Sequence, residues 1–136
     1  MKPGFLEDFI DTRSSNGRDD TFLSELHFRD INGNMFKIPI GSTTDGGSTP
    51  RIVWVVPGFE PVGAHYFEYA LHDAAYRGTL LIRHGIEYKP ANLTRLQADR
   101  LLDRALELRG MSSWKRAAVY RTLRATGWKA FNNSRA

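Results

Sequence analysis

The sequence predicts an α+β fold in which helix dominates: an N-terminal β-hairpin, a glycine-rich loop, then a bundle of three main helices. Three observations carry this. Asn32-Gly33 divides two apolar-rich runs in "TFLSELHFRDINGNMFKIPI", a hairpin pattern over about residues 21–41. "GSTTDGGSTP" follows, with Gly46-Gly47 giving the backbone freedom to bend. Apolar residues then recur at helical spacing across about residues 49–128.

Each element has its own signal. Thr49 and Pro50 suit the cap and first position of a short helix, "PRIVWVV", which Pro57-Gly58 stops. The next helix runs from about Ala64 to Gly78. A third opens at Thr94, where Gln97 completes a capping box, and closes at Gly110. The last begins at Ser112 or Ser113 and ends near Gly127, leaving "WKAFNNSRA" as a tail. A length of 136 residues suits one domain, 1–136.

Composition excludes several classes. Without cysteine there is neither a disulfide framework nor a thiolate metal site, as expected in a reducing compartment. No apolar run approaches the roughly 20 residues of a membrane span. The acidic start, "MKPGFLEDFIDTRSS", lacks the apolar region of a signal peptide, so the expected location is not reached by classical secretion. The net charge of +4 hides an asymmetry. No acid follows Glu107, whereas Lys115, Arg116, Arg121, Arg124, Lys129 and Arg135 are basic. These bases are dispersed and accompany no readout motif, which argues against nucleic acid as a partner. They read as a solvated face that partly pairs with the acidic N-terminus.

The chemistry concentrates in "HDAAYR", residues 72–77. On a helix, and relative to His72, His65 falls at about 20°, Tyr76 at 40°, Tyr69 at 60° and Asp73 at 100°. Phe67, Ala70, Leu71 and Ala74 occupy the other side, and only Glu68 and Arg77 look like solvated residues. Covered polar groups need partners. The arc is therefore either a hydrogen-bond network that fixes helix packing or a base and its supports lining a cleft. On the following helix Asp99 lies at the edge of the apolar stripe, beside Leu102 and Leu106, and is pushed towards a neighbour. An Asp99–His72 pair would fix the imidazole tautomer and leave one nitrogen as a base. Asp103, one turn on, is the weaker candidate. Asp45, with the backbone of Gly46, Gly47 and Ser48, would combine with Asp73 to hold a hard cation such as calcium; a simple turn is the alternative.

Two resemblances add to this. "IPIGSTTDGGSTPRIVW", "ALHDAAYR" and "QADRLLDRAL" resemble the ordered TDGxSxPR, HDxxYR and AD motifs of an uncharacterised family of phage and prophage proteins. That resemblance implies a phage or prophage origin, in the host cytoplasm or the virion, and supplies no activity. The HDxxY helix after a glycine-rich loop, with a later aspartate, is also distantly similar to phospholipases A2. It implies that His72 is a general base, that Tyr76 and Asp99 orient it, and that Asp73 and the 45–48 loop bind calcium. Phospholipid is then the implied substrate. The loop departs from the usual calcium-loop pattern. The competing expectation is a non-catalytic virion, tail-associated or host-binding protein whose HDxxY network is structural. Oligomeric state is not legible.

Overall fold

The computed structural model describes residues 2–14, 20–44 and 65–134. Their strands are β1 (Gly4–Phe5), β2 (Thr12–Ser14), β3 (Asp20–Phe22), β4 (Leu26–Arg29), β5 (Met35–Ile38), β6 (Thr43–Thr44), β7 (Leu81–His84) and β8 (Glu87–Pro90). The helices are α1 (Tyr66–Arg77), α2 (Arg95–Leu108) and α3 (Ser113–Ser134). The strands form two antiparallel sheets, ordered β1-β4-β5-β7-β8 and β2-β3-β6. The helix-dominant expectation is thereby corrected. The fold is mixed α+β, and the one expected hairpin is the centre of a larger sheet.

That hairpin is β4–β5, with Leu26 opposite Ile38 and Phe28 opposite Phe36. Alternation sends these four inward, while His27 and Lys37 lie on the other face near Glu7, Glu25 and Tyr88. The turn is longer than an Asn-Gly pair alone. Gly33 N–H donates to Asp30 O at 3.2 Å, Gly33 has φ +85°, and the Asp30 carboxylate accepts from the Asn32 and Asn34 amides. A type I turn closed by glycine results, so only Gly33 takes the positive φ.

The second hairpin, β7–β8, has a faint sequence signal because "LIRHGIEYKP" is short, half exposed and rich in charge. Its signal was Gly85-Ile86, a Gly-X two-residue turn in which Gly85 takes φ +65°. It joins the sheet because β7 pairs with β5, Phe36 opposite Ile82.

Helices α1 and α2 both pack on the sheet. Ala70, Leu71, Ala74 and Ala75 of α1 pack in one core with Phe22, Leu26, Phe28, Phe36 and Ile38 from the strands and Ala98, Leu101 and Ala105 from α2. Tyr69 joins a second cluster with Leu102, Leu106, Met111 and Val119. Gly78 ends α1 in the left-handed conformation. Helix α2 starts at the Thr94–Gln97 capping box, both bonds present, and Gly110 follows it with φ +91°.

Helix α3 does not stop at Gly127; it continues to Ser134 and brings the Phe131 ring edge-on to Tyr76, 5.2 Å between centroids. The short helix expected after Thr49 and the 45–48 loop lie outside the described residues.

Phe28 is 1% exposed at the junction of sheet and helices, whereas Ile86 is 96% exposed at a hairpin tip. Phe28→Ala should cost about 3–5 kcal/mol and Ile86→Ala less than about 0.5 kcal/mol, read from urea unfolding midpoints.

Candidate functional site

The site is built where the three helices meet. His72 and Tyr76 stand four residues apart on α1, so they share a face. Asp99 projects from α2 between apolar neighbours and is 1% exposed. One of its oxygens, Oδ1, accepts from Tyr76 OH at 2.6 Å and lies 2.8 Å from His72 Nε2. The other, Oδ2, accepts from Arg124 Nη1 of α3 at 2.8 Å, with Arg95 Nη1 3.9 Å away.

An isolated carboxylate in this position would be costly. Burial alone would raise the Asp99 carboxyl, but hydrogen bonds from His72, Tyr76 and Arg124 outweigh it and hold the group below its ordinary value. Asp99 is therefore an anion. Burial and the adjacent carboxylate push the Tyr76 phenol far up, so Tyr76 remains a donor. The anion assigns the neutral-imidazole proton to His72 Nε2 and the lone pair to Nδ1. The His72 side chain keeps 10% exposure, and its ring lies 4.1 Å from that of Tyr76.

A family model described as Protein of unknown function (DUF1353) matches residues 21–123. The chain belongs to this family. Comparison with curated proteins and with solved structures returned no match. The DUF1353 match holds His72, Asp73, Tyr76 and Asp99 and ends one residue before Arg124.

The remaining predicted residues of this DUF1353 chain are placed differently. Asp73 does not reach the Asp99 network; its carboxylate pairs with Arg77 Nε at 3.1 Å, and Arg77 also donates to Thr43 Oγ1 at 3.0 Å. His65, at the N-terminal end of α1, sits 4.0 Å from Glu68, and Tyr69 packs in the second apolar cluster. Asp45, Gly46, Gly47 and Ser48 lie outside the described residues. Among the described residues no group of three or more histidine, cysteine or acidic side chains could hold a metal.

Four participants escaped the sequence reading. Glu68, read as solvated, is fully buried; the nearby His65 ring and a bond from Arg109 Nε outweigh burial and hold its carboxyl below the ordinary value. Arg124 and Arg95 supply charge to Asp99. Two basic residues of α3 pair with acids of α2: Arg124 with Asp99, and Arg116 with Asp103 at 3.2 Å and Glu107 at 3.4 Å. The available signal was complementary spacing: acids at 99, 103 and 107 facing bases at 116 and 124 in an antiparallel pair.

The fourth is Gly127. A Cβ there would lie 2.6 Å from Tyr76 OH and 3.4 Å from Arg95 Nη1. Glycine is needed so that the phenol can reach Asp99 against the α3 backbone, a role hidden when the same residue is taken for the end of the helix.

Gly127→Ala should displace the Tyr76 hydroxyl and lower stability by about 1–3 kcal/mol, despite alanine's higher helix propensity, in chemical denaturation. Asp99→Asn should cost about 3–5 kcal/mol, because it leaves buried donors without their anion. The depressed Asp99 and Glu68 values fix the sign of the pH dependence. Their contribution is complete above the unfolded carboxylate range of about 4 and is lost as pH falls through the lower folded values. Thermal scans on acidification should therefore show a drop below about pH 4 that is smaller in Asp99→Asn.

Proposed function

We propose that the chain is a small phage- or prophage-encoded hydrolase with His72 as general base, acting on a phospholipid ester in the manner of phospholipases A2. The observation that carries this reading is the shared oxygen. Asp99 Oδ1 takes both His72 Nε2 and Tyr76 OH, so the acid orients the imidazole and Nδ1 is left for chemistry. These are the three residues that the phospholipase resemblance assigned to base and supports.

The step follows from that geometry. Nδ1 takes a proton from water as the water oxygen attacks the ester carbonyl carbon. The imidazolium is stabilised by the Asp99 anion. Collapse of the tetrahedral adduct breaks the bond to the leaving oxygen, which receives the proton, giving an acid and an alcohol. Calcium was expected on Asp73 and the 45–48 loop. Arg77 already engages Asp73, and the described side chains do not by themselves make up a hard-cation site, so no step is written through a metal. Calcium is a variable of the assay.

A second reading has a specific observation in its favour. Arg124 and Arg95 bring more charge to Asp99 than orienting an imidazole requires, and they tie α1, α2 and α3 together. On that reading the network is structural, the protein is a virion, tail-associated or host-binding component, and the exposed Trp114 and Trp128 of α3 offer contact surface.

Turnover of mixed phospholipid vesicles, with and without calcium, separates the two. His72→Gln, checked for folding by circular dichroism, should lose about 10²-fold or more in hydrolysis. Equal turnover in wild type and variant removes the hydrolase reading, and co-purification with virions would then support the structural one.

A further inference from the structure

A concavity lies on the other side of α2, away from Asp99, between that helix and the β4–β5 hairpin. It has a volume of about 380 Å³ and is floored by Phe28, Phe36 and Leu101. Leu93 closes one side, and Ile31 and Leu108 stand at its lips, 61% and 40% exposed. An apolar floor with polar groups at the rim, at this size, suits an amphipathic small molecule.

The polar groups present are unequal. Gln97 is committed to the Thr94 capping box and Asp30 to its own turn, where it accepts from the Asn32 and Asn34 amides and from Asn34 Nδ2. Asn32 adds a neutral side-chain amide, and the cations are Arg100 and Arg104, one helical turn apart on the exposed face of α2. Arg104 bonds Glu107 at 3.0 Å; no ion pair of Arg100 occurs among the described residues. Like charges at this spacing repel on a helix, and an anion between them reverses the sign. We propose that this groove binds a small amphipathic carboxylate, its hydrocarbon part on the phenylalanine floor and its head between Arg100 and Arg104. The inference is independent of any role for His72.

Octanoate, well below its micelle-forming concentration, is the probe, with 1-octanol as its uncharged counterpart. Octanoate should shift the backbone amide resonances of Ile31, Asn32, Gln97 and Leu101 and bind roughly tenfold or more tightly than 1-octanol. The R100Q/R104Q double variant, altered only at exposed positions, should lose that advantage while binding 1-octanol as before. His72→Gln should keep full octanoate affinity, which separates this site from the hydrolase reading. Absence of shifts at those amides, equal affinity for the two probes, or unchanged octanoate binding in the double variant would each overturn the proposal.

Discussion

One buried carboxylate organises this protein. Asp99 has almost no access to water, so its charge is tolerable only if donors surround it, and its hydrogen-bond donors come from the two other helices, His72 and Tyr76 from α1 and Arg124 from α3. That demand sets how α1, α2 and α3 approach one another. It also explains why Tyr76 must slide past a glycine on α3 and why Arg95 lies alongside, bonded to the backbone carbonyls of Leu123 and Arg124. A hydrocarbon side chain at 99 could fill the space, but it would leave His72 and Tyr76 without an acceptor there.

The same anion serves either functional reading. For catalysis, its value lies in fixing one imidazole tautomer and in remaining charged when the ring accepts a proton. For a structural network, its value lies in specifying one packing of three helices over others. A local observation bears on the choice: Asp73, adjacent in sequence to His72, pairs with Arg77, which itself donates to Thr43 of β6. The two carboxylates thus divide between different surroundings.

Local signals were legible in the sequence and long-range ones were not. Thr94 and Gln97 announce the start of α2 because capping is decided within four residues, and Asn32-Gly33 announces a hairpin for a similar reason. The position of Asp99 on the edge of an apolar stripe was enough to expect a contact with His72, since helix geometry fixes direction. Strands β7 and β8 depend on pairing with β5, forty-odd residues upstream, and their charged, half-exposed sequence carries little apolar alternation. Arg124 looked like one base among several. What distinguishes it is its partner across the helix pair, a property of the fold and not of its neighbours in the chain. Gly127 carries the same lesson, for its meaning lies in the phenol opposite.

The route of the chain between α1 and α2 has a kinetic side. After Gly78 the chain returns to the sheet, with Ala91 N–H donating to Leu80 O at 2.9 Å, before α2 begins. His72 and Asp99 are therefore brought together only across an intervening hairpin that must itself find β5. Loop closure of this kind is paid before its contacts are rewarded, which slows folding relative to a simple helical bundle.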